Sequence, residues 1–263
     1  MKTRVNDIDV HYTLDGPTGA PVVTFSHSLA TDLSMWDRQA AALATRYRVL
    51  RYDTRGHGGT DAPAGAYTLE QLAADARGLL KALGIARTHW VGLSMGGMIG
   101  QMLGVTTPEL LQSLTLCDTT SRVPAEAKPL WDERITVAER QGMQPHVEPT
   151  VSRWFTPKFI ESRPDVVNPV RDMIRRTSPR GYVGCCHAIR ALDLTDRLAA
   201  VRLPTLVIVG AQDVGTPLAA SQVIHGQIKG SELVILDPAS HLSNLEQPEA
   251  FTQALEGFLR RVA

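Results

Sequence analysis

Apolar positions follow two rhythms along this chain, and their order predicts the architecture. Near the start, Ile8, Val10, Tyr12 and Leu14 alternate with less apolar residues up to Asp15-Gly16-Pro17, the period of a half-buried strand or hairpin closed by a turn. Short unbroken apolar runs follow at 21–26 and 47–52, the composition of strands buried on both faces. Between them, residues 33–45 have the pattern of a helix. Leu69, Leu72, Leu79, Leu80 and Leu83 share the inner face of a second helix, which opens at Thr68-Leu69-Glu70-Gln71 and stops at Gly84. Further strands are expected before Gly92, at 110–118, at 204–210 and at 232–236, with a last helix over 248–261.

Strand and helix alternate through about residue 120, as a parallel sheet with helical crossovers requires. Residues 121–198 break that rhythm: they are helical and irregular, with several prolines and two of the four tryptophans, Trp131 and Trp154. The pattern predicts one α/β core, 1–120 and 199–263, with a mostly parallel central sheet flanked by helices. Residues 121–198 would be a helical cap inserted between two of its strands and placed as a lid over the strand ends.

The length, 263 residues, suffices for such a core. Lys+Arg and Asp+Glu both number 27, so no charge excess points to nucleic acid or an anionic membrane surface. The first seven residues lack the apolar core of a signal peptide, and no apolar run is long enough to span a bilayer. Three cysteines, with Cys185 and Cys186 adjacent, do not make a disulfide framework. A reducing cytoplasm is the expected compartment.

The chemistry is concentrated around Gly92-Leu93-Ser94-Met95-Gly96, which fits G-x-S-x-G between a strand and a helix. Such an elbow lifts a serine hydroxyl clear of the sheet, and glycines two residues to either side remove β-carbons that would collide. Gly97, Gly100 and Gly104 then share one face of the following helix. Each costs about 1 kcal/mol relative to alanine, so the face is expected to pack closely on the sheet.

A serine nucleophile needs a base and an orienting acid. Among eight histidines, His241 follows the last strand, where loops at the carboxyl ends of parallel strands gather on one rim with Ser94. Two acids suit that rim. Asp118 ends the strand after the elbow helix, and Asp213 lies three residues past Gly210. Asp213 is favoured because its strand directly precedes the histidine strand, giving the order Ser94, Asp213, His241. The oxyanion hole is expected from the N–H of Met95 and that of Leu29, with Ser28 as the alternative to Leu29.

Other chemistries lack a template. There is no G-x-x-x-x-G-K-[ST] loop, no H-E-x-x-H, no paired C-x-x-C, and Gly56-His57-Gly58-Gly59 lacks the third glycine of a dinucleotide site. Asp53, Arg55 and His57 are expected to brace a tight turn. No cofactor or metal is implied.

Taken together, the elbow, the acid and histidine in that order, the Asp-Thr-Arg-Gly-His-Gly turn at 53–58 and the helical insertion resemble the α/β-hydrolase superfamily over essentially the whole chain. Residues 26–37 (SHSLATDLSMWD), 92–101, 185–190 (CCHAIR) and 239–244 (ASHLSN) are similar to the 3-oxoadipate enol-lactonases of the β-ketoadipate pathway. Ser28 departs from the glycine that many superfamily members carry after this histidine. The resemblance implies a cofactor-free serine hydrolase that opens a small enol-lactone with an acidic side arm. A general carboxylesterase or a cofactor-free perhydrolase would use the same triad, and a hydrolase-fold receptor or signalling partner could retain it. The cap would line the pocket with Trp131 and Trp154. Arg134, one helical turn beyond Trp131, would face the substrate carboxylate.

Overall fold

The computed structural model describes residues 1–262. Its sheet has eight strands: β1 (Lys2–Val5), β2 (Ile8–Asp15), β3 (Val22–Ser26), β4 (Arg48–Tyr52), β5 (Thr88–Leu93), β6 (Leu111–Cys117), β7 (Thr205–Gly210) and β8 (Glu232–Leu236). They lie in the order β1-β2-β4-β3-β5-β6-β7-β8. The alternating β1–β2 hairpin is antiparallel, and β2 joins β4 antiparallel. From β4 to β8 every pairing is parallel. The short apolar runs occupy the middle of the sheet, and β5 and β7 are buried at all six positions.

Helices α1 (Asp37–Leu43), α2 (Leu69–Ala82) and α3 (Met95–Thr106) follow β3, β4 and β5. Thr68 caps α2, its hydroxyl accepting the Gln71 N–H, and Leu69, Leu72, Leu79 and Leu80 are buried as the periodicity predicts. The helix expected over 33–45 is divided. Asp32 caps a 3-10 turn over Leu33–Trp36, and Trp36 leaves helical geometry before α1 begins. Its indole is fully buried between Phe25 and Phe251, at ring separations of 4.8 and 5.9 Å. Packing of one large ring therefore overrides a continuous helix.

Between β6 and β7 lie α4 (Lys128–Gln141), α5 (Val147–Trp154), α6 (Pro157–Ser162), α7 (Pro164–Arg176) and α8 (Pro179–Arg190). Prolines stand in the first turn of α4, α6, α7 and α8, where a missing N–H costs nothing, so they punctuate helices rather than break them. This segment rests on the loops after β4 and β8. Tyr67 donates its N–H to Gly184, and Leu242 donates to the Trp154 carbonyl. After β7 come α9 (Leu218–Gln227), which the apolar pattern does not reveal, and after β8 a short α10 (Ser243–Glu246) where only a loop is expected. The chain ends in α11 (Pro248–Val262). Among the described residues no helix is long and apolar enough to cross a membrane.

Candidate active site

Ser94 stands between β5 and α3 at φ +55°, a conformation that a non-glycine residue rarely adopts. The turn is enforced from both sides. A β-carbon at Gly92 would run into the Gly96 carbonyl, and one at Gly96 into the Ser26 carbonyl. Below the turn, Gly100 brings α3 against the Trp90 ring, and the Trp90 indole N–H donates to Gly96 at 3.1 Å. The glycine face thus packs on the sheet as expected.

The parallel order puts the residues following β5, β6, β7 and β8 on one rim: Ser94, Asp118, Asp213 and His241. Of the two acids, Asp213 is the one that meets the histidine. Its Oδ2 lies 2.8 Å from His241 Nδ1. The same carboxylate accepts the Gly215 N–H at 2.7 Å, the Thr216 N–H at 3.0 Å and the Thr216 hydroxyl at 2.7 Å. Burial alone would raise its pKa. The His241 ring, with the hydrogen bonds from His241 and Thr216, outweighs burial and holds the carboxyl below its ordinary range. With the Nδ1 proton directed at Asp213, Nε2 of His241 is left to accept a proton.

Asp118 is fully buried and makes different contacts. Its Oδ1 accepts the Gly210 N–H at 2.8 Å and its Oδ2 meets the Ser243 hydroxyl. Burial, added to by the Asp213 charge, pushes its pKa well above the carboxylate range, against these two hydrogen bonds. The imidazole of His241 has Asp213 and Thr216 as partners and not Asp118.

At the other side of the elbow, the loop after β3 is braced by the glycine turn. His27 Nε2 accepts the Thr54 N–H and His57 Nε2 accepts the Ala30 N–H, each at 2.9 Å. Burial, helped by the neighbouring His27, lowers the His57 pKa to about 3, keeping the ring neutral as its acceptor role demands. Asp53 and Arg55 tie the same turn down: Asp53 accepts the Gly59 and Leu33 N–H groups, and Arg55 pairs with Asp75 and Asp7. The Ser28 N–H points at the Met35 sulfur, 3.4 Å away. Among the described residues, neither the Leu29 nor the Met95 N–H has a protein acceptor.

In the helical segment, Trp154 reaches His241: their rings stack at 6.0 Å with 26° between planes. The Arg134 guanidinium lies over the Trp131 ring at 4.5 Å. That pair has no hydrogen bond or ring contact with Ser94, Asp213 or His241 among the described residues. Thr216 and Glu246 are site residues that the sequence reading misses. Glu246 accepts from the Ser240 N–H and from both the N–H and hydroxyl of Thr156, locking the histidine loop to the helical segment. The Asp213-x-x-Thr216 spacing, a local side-chain turn, was the available signal for Thr216. Glu246 has none, because its link to the helical segment runs to Thr156, 90 residues away.

The family model of the alpha/beta hydrolase fold matches residues 21–248. The chain belongs to the α/β-hydrolase family. It is 38% identical to 3-oxoadipate enol-lactonase 2 of Acinetobacter baylyi over 97% of this chain and 94% of that one. The crystal structure of the enol-lactonase from Burkholderia xenovorans superposes with a TM-score of 0.96 at 40% identity, covering 99% of this chain and all of that one. A thermophilic esterase from Thermogutta terrifontis is 31% identical, with a TM-score of 0.94, covering 100% of this chain and 99% of that one.

Proposed function

We propose that this protein is a serine hydrolase that opens a small enol-lactone, 3-oxoadipate enol-lactone in particular, through an acyl-enzyme on Ser94. The observation that carries the reading is the buried Asp213–His241 pair on the rim of the Ser94 elbow, in a chain so similar to two enol-lactonases. His241 Nε2 takes the Ser94 proton as Oγ attacks the ring carbonyl, while Asp213 holds the imidazole and stabilises its positive charge. The N–H groups of Met95 and Leu29, free of protein acceptors among the described residues, receive the tetrahedral oxyanion. Collapse breaks the ring C–O bond, and the enol oxygen leaves with the proton from His241 and tautomerises to a ketone. Water, deprotonated by His241, then releases the acid from Ser94. The chemistry is complete without a cofactor.

In this reading, residues 121–198 act as a cap on a core formed by 1–120 and 199–263, and Trp154 shields His241 from above. Trp131 and Arg134 supply a flat apolar wall and a cation for the substrate carboxylate. Supporting this, Arg134 has no carboxylate partner of its own among the described residues, whereas Arg122, Arg163, Arg171, Arg175 and Arg190 do.

The test is turnover of the enol-lactone and labelling by a fluorophosphonate in wild type and Ser94→Ala. Both should vanish in a variant that melts like the wild type; normal labelling of Ser94→Ala refutes the assignment. Arg134→Met should raise KM for the acidic lactone about 10-fold, as loss of one charge-assisted contact does, and leave a neutral ester unaffected. Equal effects on both substrates would make Arg134 scaffold.

A further inference from the structure

Three consecutive residues at the end of β6 bond to Ser94 after β5, to β7 and to Ser243 after β8. The Cys117 carbonyl accepts the Ser94 N–H at 2.8 Å, and the Thr119 hydroxyl donates to the Ser94 carbonyl at 2.7 Å. Between them Asp118 turns out of the strand at φ +43°, with its own N–H donating to Ile208 at 2.8 Å. Its carboxyl then spans a gap between two chain segments. On one side is the Gly210 N–H, three residues before Asp213; on the other is the Ser243 hydroxyl, two residues after His241.

We infer that Asp118 is a positioning residue, a cross-brace that sets the acid loop against the base loop and ties both to the strand beside the nucleophile. The inference rests on the reading of Ser94, Asp213 and His241 as a triad. Its chemistry is that of a neutral acid. Both partners are uncharged, the surroundings are buried, and the titratable groups facing it, Asp213, Glu246 and the Cys117 thiol, offer no positive charge. Ser243 donates its hydroxyl to a carboxylate here, and once Asp118 is protonated that hydroxyl rotates to accept from Oδ2, so the acid presents one acceptor to Gly210 and one donor to Ser243. An asparagine amide presents the same two groups in the same shape. Alanine presents neither, and frees the two loops to shift.

The experiment compares Asp118→Ala with Asp118→Asn on p-nitrophenyl acetate and on a fluorophosphonate. Asp118→Ala should lower kcat about 10- to 100-fold with KM within about 2-fold, since sub-ångström misplacement costs rate rather than binding. Labelling of Ser94 should slow in parallel. Asp118→Asn should restore kcat to within about 3-fold of wild type, a rescue that follows from hydrogen-bond geometry alone. Wild-type kcat in folded Asp118→Ala overturns the brace. Asn as damaging as Ala also overturns it, because the carboxylate charge would then be in use. If Asp118→Ala fails to fold, Ser243→Ala cuts only the base-side contact. It should lower kcat about 5-fold at constant KM, and an unchanged kcat overturns the proposal. Ser94→Ala and Asp213→Asn run alongside. Turnover retained in those two refutes the triad itself, whereas turnover lost there but kept in Asp118→Ala refutes only the brace.

Discussion

Asp118 and Asp213 close neighbouring strands of one sheet, are both buried, and differ in nearly everything chemical. Asp213 gathers three donors and an imidazole, so its negative charge is solvated by the fold. Asp118 gathers one backbone N–H and one hydroxyl, which burial and the nearby Asp213 charge overrule. The same side chain is thereby held toward its anion in one loop and toward its neutral acid in the next. Burial pushes both carboxyls the same way, and the difference is whether the partners offset it, as they do at Asp213 and do not at Asp118. Asp213, not Asp118, is the carboxyl bonded to the His241 imidazole.

The comparison breaks most decisively at Asp213. Asp213→Asn should lower kcat about 10³- to 10⁴-fold, because an amide N–H facing Nδ1 selects the tautomer whose Nε2 already carries a proton. Steady-state kinetics at unchanged melting temperature checks this, and a larger loss from Asp118→Asn would reverse the assignment of the acid.

Thr216→Val sharpens the same contrast. It removes the hydroxyl donor 2.7 Å from Asp213 Oδ2 and keeps the backbone donors. Loss of one hydrogen bond to a charged group, about 1.5–3 kcal/mol, should appear as a lower melting temperature and a kcat reduced about 10-fold. A thermally neutral Thr216→Val would mean that the carboxylate is solvated without it.

The smallest effect has opposite signs at the two acids. Asp118 is raised above the ordinary 3.8, so the folded state keeps a proton that the unfolded chain releases, and this group costs stability as pH rises above that value. Asp118→Asn should therefore gain on wild type as pH is raised from below to above that value. Asp213 is lowered below 3.8, so its contribution is present above that pH and is lost as pH falls through the depressed value. Asp213→Asn should lose least, relative to wild type, at the acid end. Urea unfolding of the three proteins across this range reads both slopes, and parallel curves would erase the distinction.

Much of the framework was legible in the chain. Alternation in β2, the apolar runs of β3 to β8 and the Thr68 cap are local consequences of period and propensity. The elbow could be read because its steric demand falls on Gly92 and Gly96, each within two residues of Ser94. Loop position also favoured Asp213 over Asp118, since strand order follows from connectivity. The interrupted helix at Trp36 and the short α10 were not legible, because their causes are packing partners far along the chain: Phe251 for the one, Thr156 bonding Glu246 for the other.

What the sequence determined by itself, then, is the set of candidate reactive groups and the rim they share, because both depend on spacing within a strand–turn–helix unit and on chain order. Only the tertiary structure decided in which direction each carboxyl is shifted. That depends on Gly210 and Ser243, separated from Asp118 by 92 and 125 residues, and on Thr216 and His241 closing around Asp213. A carboxyl's ionisation is set by the field and the donors around it, and those are assembled only when distant segments pack.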